Sequence, residues 1–208
     1  MDLLTTHRPR DCALLVGIPV TMEDYRAYEG GALESDFLRQ SGMTTAGFLS
    51  AVCEPVGESL ERIRRYGASV ATRMDEGKIA DAFRWDVVIL LSHWSGDRIE
   101  VYGGMLPAAA FAARIPEDYA GVVDLCACHP EGLADAILAR CPGATVKYTL
   151  VSTTASIWSE VVRLTLLLLR RHRMSYVEAL QTVLSAVEST ARPAAAVAAA
   201  VRTRAAEA

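Results

Sequence analysis

The sequence predicts an α/β fold, a mainly parallel sheet with helices on both faces. Three observations predict it. Short apolar runs rich in Val, Ile and Leu recur at Ala13–Ile18, Asp86–Leu91, Gly121–Leu125 and Thr145–Ser152. The first two are apolar on both sides of the pleat, as strands buried on two faces are. Between them lie segments of helical period, and alternating strand and helix argues for a parallel sheet wrapped by helices.

The elements follow in order. Ala13-Leu14-Leu15-Val16-Gly17-Ile18 is a first strand stopped by Pro19, and Thr21 to Ser41 is polar loop with a helix expected around Ala32 to Arg39. Ser59 is expected to cap a helix through Arg65 that Tyr66-Gly67 ends, and Ala68 to Met74 gives a short second strand. A helix is expected over Gly77 to Phe83. Asp86 to Leu91 is the clearest strand, and it ends on Ser92-His93. Arg98 to Tyr102 alternates as a half-exposed strand before Gly103-Gly104, and Ala108 to Ala113 turns helical.

Gly121 to Leu125 forms the next strand, and Pro130 opens a helix through Leu133, Ala134, Ile137 and Leu138 that Cys141-Pro142-Gly143 closes. Thr145 to Ser152 is another strand. Ile157 to Arg171 is helical and apolar nearly all round, so it is expected to be largely buried. Ser175 followed by Glu178 makes a capping box, after which Tyr176, Leu180, Val183, Leu184 and Val187 share one face. The expected organisation is one domain over residues 1–192, with an Ala- and Arg-rich tail over 193–208 that is frayed helix or disordered.

The 208 residues suffice for a full core without disulfides or a structural metal. An apolar share of 51% with 22% charged residues is that of an ordinary globular chain, and a net charge of −4 gives no footprint for nucleic acid. Asp2, Arg8, Arg10 and Asp11 interrupt the first residues, so no signal peptide is expected. The longest apolar run, Leu164 to Leu169, falls far short of the roughly 18 residues of a membrane span. A cytoplasmic protein without a membrane partner is expected. Five cysteines at irregular positions do not form a disulfide framework, and in the cytoplasm they would stay reduced.

Chemistry-bearing residues concentrate at two strand ends. His93 closes one strand and Cys128 ends another just before the helix opened by Pro130, on the carboxyl edge where α/β folds place their sites. A thiolate is the competent nucleophile, and a helix N-terminus with its free N–H groups favours both a thiolate and a later oxyanion. A strand-end cysteine is also an ordinary buried small hydrophobe. Asp124 sits inside an apolar strand, which is costly unless the carboxylate is paired or lines a pocket. Cys126 and Cys128 with His129 lack the turn spacing of a zinc site, so no metal or other cofactor is expected, and His129 is read as a solvent-facing cap. Trp94, Trp158 and Tyr176 are either pocket walls or packing. Arg170, Arg171, His172 and Arg173 are read as offsetting a helix dipole.

Strand, Ser92-His93, crossover, strand, Leu125-Cys126-Ala127-Cys128 and helix, followed later by Ser175-Tyr176-Val177-Glu178-Ala179-Leu180, resembles the caspase-like (clan CD) cysteine peptidases, above all their bacterial CHAT-type members. The nucleophile of that family commonly ends a Leu-Ser-Ala-Cys strand, and the resemblance spans roughly residues 66 to 190. It implies a caspase-like sheet, a Cys128–His93 dyad acting through a thioester on a protein or peptide substrate, Asp124 and Trp94 on the substrate side, and an activating protein partner for some members. It also implies a setting in bacterial defence. Two departures keep a second reading open. Trp94 stands where relatives carry Gly, and aligning His93-Trp94-Ser95-Gly96-Asp97 with His-aromatic-Ser-Gly-His puts Asp97 in the place of the catalytic His. On that alignment the chain is an inactive peptide-binding or scaffolding relative. Asp124-Leu125-Cys126 resembles the Asp-x-Cys of metacaspase-like enzymes, which leaves Cys126 as the other candidate nucleophile.

Overall fold

A computed structural model describes residues 5–21, 23–24, 42–150, 153–190 and 201–205. The main sheet has the order β2-β1-β3-β7-β8-β9, with β1 at Cys12–Val16, β2 at Ser69–Ala71, β3 at Val87–Leu91, β7 at Val122–Cys128, β8 at Thr145–Thr149 and β9 at Val201–Ala205. Its first five strands are parallel, and β9 joins antiparallel at the edge. A small antiparallel sheet, β4 (Trp94–Ser95), β5 (Arg98–Val101) and β6 (Gly104–Pro107), grows out of the carboxyl end of β3.

Alternation along the buried strands divides the core in two. Cys12, Leu14 and Val16 of β1, with Val87, Ile89 and Leu91 of β3, face α2 (Glu54–Tyr66), α6 (Ala155–Arg171) and α7 (Tyr176–Thr190). Ala13 and Leu15, with Val88 and Leu90, face α3 (Glu76–Ala82), α4 (Ala108–Ala112) and α5 (Glu131–Arg140). The result is helices, sheet and helices in three layers, the α/β fold that the alternating pattern predicts. Each fully buried Leu or Ile contributes about 1.5–3 kcal/mol by leaving water.

The helix before β2 starts far earlier than Ser59. Thr44 caps a first turn, α1 (Thr45–Phe48), by accepting the Gly47 N–H, and a π-turn at Leu49–Cys53 carries the chain into α2. Ser59 therefore lies buried in mid-helix. The π-turn adds a residue and resets the apolar period, and Pro55, which has no N–H to give, falls at the join. Gly67 ends α2 at a φ of 103°, as the glycine stop predicts. Two further expectations differ. β8 stops at Thr149, and residues 201–205 of the expected tail form a strand, because the outer side of β8 otherwise presents a row of unpaired backbone groups. The helix expected at Ala32 to Arg39 lies outside the described residues. No helix among the described residues is long and apolar enough to cross a membrane.

Helices α2 and α3 leave β1 and β2 toward opposite faces, so the chain reverses between β1 and β3, where open α/β sheets leave a crevice. Here the crevice is filled. The Gly17 N–H bonds to Leu91 O at 2.9 Å, Met74 N–H to Val16 O at 3.0 Å, and Tyr102 N–H to Met74 O at 2.6 Å. A Cβ on Gly17 would collide with Ser92 Oγ, the Glu100 carbonyl and Met74, so only glycine admits the hairpin this closely.

Candidate active site

His93 and Cys128 leave neighbouring strands at matching positions. Leu91 of β3 is the register partner of Cys126 of β7, and the Ser92 N–H continues the ladder to Cys126 O at 3.4 Å. His93 and Cys128 each stand two residues past that last pair. The main chain at His93 is held by its carbonyl, which accepts the Glu100 N–H at 2.9 Å. Ser92 Oγ donates to the Glu100 carbonyl at 2.7 Å, so two successive residues at the end of β3 are tied to β5.

Cys128 closes β7 where the pairing with β8 slips, Leu125 facing Tyr148 and Cys128 facing Thr149. The irregularity interrupts regular pairing just before the thiol. Sγ lies 3.7 Å from the Thr153 carbonyl, one residue before the N-cap of α6. His129 follows at a φ of 51°, exposed, and Pro130 takes the N-cap position of α5. Within α5 the Ala134 N–H is bonded to Pro130 O, and the N–H groups ahead of it have no intrahelical acceptor.

Trp94 joins the two halves. It pairs with Ile99 in the small sheet, and its indole reaches the first turn of α5, where a Cβ on Gly132 would stand 3.4 Å from Cζ2. The residue after His93 thus packs on the helix that begins after Cys128. Asp97 sits in the β4–β5 turn after Gly96, whose φ is 66°, with its side chain 84% exposed near Arg98.

All five cysteines are free thiols, and Cys12, Cys53, Cys126 and Cys141 are buried while Cys128 is half-buried. Burial pushes the thiols of Cys12, Cys126 and Cys141 up, away from the reactive thiolate, and the Asp124 carboxylate adds to the shift at Cys126.

Asp124 lies four residues before Cys128 in the core, not at the edge, and is 3% exposed. Its Oδ2 accepts the Tyr176 hydroxyl at 2.6 Å, and Lys147, its register partner on β8, is 2% exposed. Burial pushes the Asp124 carboxyl up to about 6, against the opposing pull of the Tyr176 hydrogen bond and the Lys147 charge. Burial lowers the Lys147 ammonium, with Asp124 opposing. Trp158 of α6 and Tyr176 of α7, the other candidate pocket aromatics, are both buried in the core that these helices share with the sheet.

Sequence reasoning names His93, Cys128 and Trp94 at one edge but misses the Trp94–Gly132 contact and the Thr153 carbonyl, since neither leaves a pattern in local sequence. Lys147 also escapes it, although a lysine alternating with Val146 and Tyr148 is a readable sign of a buried charge. Among the described residues no cluster of three His, Cys, Asp or Glu side chains is arranged to hold a metal ion. The chain matches no protein-family model and no curated protein at a significant level.

Proposed function

We propose that this chain is a cysteine peptidase of the caspase-like, CHAT type, with Cys128 as nucleophile and His93 as its proton acceptor. The single observation that carries the proposal is that a half-buried thiol and a histidine stand at matching positions past the last register pair of two adjacent strands, the thiol just ahead of α5. His93 takes the thiol proton as Sγ attacks the peptide carbonyl, and the oxyanion meets N–H groups at the start of α5. As the C–N bond breaks, His93 protonates the leaving amine. Water then attacks the thioester, releasing the acid and restoring the thiol. Cys126 is the weaker nucleophile, buried and carrying a thiol raised by burial and by Asp124. Asp124 acts as a structural acceptor for Tyr176, and Trp94 stands on the substrate side of the dyad. The substrate is a protein or peptide, and by the same resemblance its cleavage would serve bacterial defence, through an activating protein partner.

One observation favours a second reading. Trp94, in the place of a small residue, packs on Gly132 at the mouth of α5, where the oxyanion donors are needed. This suits a catalytically silent relative that holds a peptide at the same sheet edge.

Mass-spectrometric labelling of the native protein by limiting iodoacetamide, in wild type and His93→Ala, tests the proposal. The expected result is Cys128 modified about tenfold faster than any other cysteine, with the advantage lost in His93→Ala. Uniformly slow labelling indifferent to His93, or a Cys128→Ser variant that cleaves every wild-type substrate, would overturn it in favour of the silent relative.

A further inference from the structure

At the opposite end of the sheet, the segment entering β1 and the end of α6 enclose a cavity of about 400 Å³. Its lining includes Arg8, Arg10, Arg170, Arg171 and Arg173, with Tyr66 and Leu169 forming an apolar wall. Two stretches more than 150 residues apart in the chain thus bring five arginines to the wall of one concavity, on a molecule whose net charge is −4.

Among the described residues few ion pairs neutralise them. Arg10 stands 3.8 Å from Asp11, and Arg170 lies over the Tyr66 ring at 5.6 Å. Among the described residues no carboxylate pairs with Arg8, Arg171 or Arg173. The carboxyl end of α6 offers a negative pole of about half an elementary charge, so helix-dipole compensation accounts for only a small part of the cluster. His7, also in the cavity wall and 2% exposed, points to the same deficit of acceptors. Its Nδ1 accepts the Tyr176 N–H at 3.1 Å, which leaves the proton of the neutral ring on Nε2, and Nε2 is buried with no partner among the described residues.

We propose that this cavity is a binding site for a small ligand carrying two or more phosphate groups, of the size of a mononucleotide. Guanidinium forks match phosphate oxygens in pairs, which makes arginine the preferred residue for such groups. The volume falls within the range of small-molecule pockets, and the absence of a net basic charge argues against a nucleic-acid polymer. The site is remote from Cys128 and independent of the peptidase reading.

Isothermal titration of the full chain with tripolyphosphate and with ADP, at about 0.15 M ionic strength, tests it. Both are expected to bind wild type, and Arg171→Ala and Arg173→Ala are each expected to weaken binding by about tenfold, the loss of one charge-assisted interaction. Arg171→Lys should restore part of the affinity, and Lys78→Ala, on the carboxyl side of the sheet, should leave it unchanged. Tighter binding of ADP assigns a nucleotide and equal binding assigns the phosphate chain alone; either supports the site. No binding of either probe, equal binding by wild type and the arginine variants, or displacement of ADP by a glutamate-rich peptide or a single-stranded RNA at lower concentration would overturn it. Iodoacetamide labelling of Cys128 should be unaffected by these variants, so failure here and failure of the peptidase proposal are separable.

Discussion

Asp124 is a carboxyl group in a layer of valines and leucines, and its state sets part of the pH response of the fold. Its folded pKa, about 6, stands above the ordinary 3.8, so between those values the native state holds a proton that the unfolded chain has released. Its contribution to stability is therefore greatest below the ordinary value and falls as pH rises through about 6. Tyr176→Phe removes the hydroxyl that steadies the ionised form. The expected loss is about 2 kcal/mol at about pH 7.5, where the carboxylate is charged, and about 1 kcal/mol at about pH 5, where it is protonated. Urea denaturation at the two pH values reads the difference; equal losses would mean that Asp124 does not ionise in this window. An acidic residue in an apolar strand is visible in sequence as a conflict. Its partners are not, because Lys147 and Tyr176 lie 23 and 52 positions away.

Among the elements, the hairpin β4–β6 and the helix α7 differ in how far local sequence defines them. The capping box is complete in α7: Glu178 accepts from both the Ser175 N–H and hydroxyl, and Ser175 Oγ accepts the Glu178 N–H. Ser175→Ala should cost about 1 kcal/mol, read as a lowered thermal midpoint. The hairpin is instead held by what it meets. Gly17→Ala should destabilise by about 3 kcal/mol, since the methyl group must displace Ser92 and the Glu100 backbone, and it should disturb the strand end that carries His93. If peptide cleavage is found, the same variant should reduce it more than Gly132→Ala, whose methyl makes ordinary contact with Trp94. Equal effects would place the hairpin outside the control of His93. Nothing in the residues around Gly17 announces that contact, because its partners lie on segments that follow β2 and β3.

For the whole molecule, the order of strands sets two distinct ends. The carboxyl end gathers His93, Trp94 and Cys128, and the amino end gathers the arginines. At the sheet edge, β9 covers β8 along five register pairs, Thr145 with Ala205 through Thr149 with Val201. A chain shortened by deletion of residues 201–208 should expose that edge and self-associate in sedimentation velocity at concentrations where the full chain does not. Unchanged sedimentation would show that other features protect β8.

The α/β class, the buried strands β1, β3 and β7, the stop at Gly67, the capping box of α7 and the alignment of His93 and Cys128 with strand ends are determined by sequence alone. Each depends on neighbours within a few residues, through period, capping or turn chemistry. Tertiary structure decided the π-turn that extends the first long helix, the filling of the crevice by the small sheet, the addition of β9, the burial of Asp124 beside Tyr176 and Lys147, and the meeting of Arg8 and Arg10 with the arginines that end α6. These depend on which strands become neighbours and in what register, and that is set by packing the whole core rather than by any one segment.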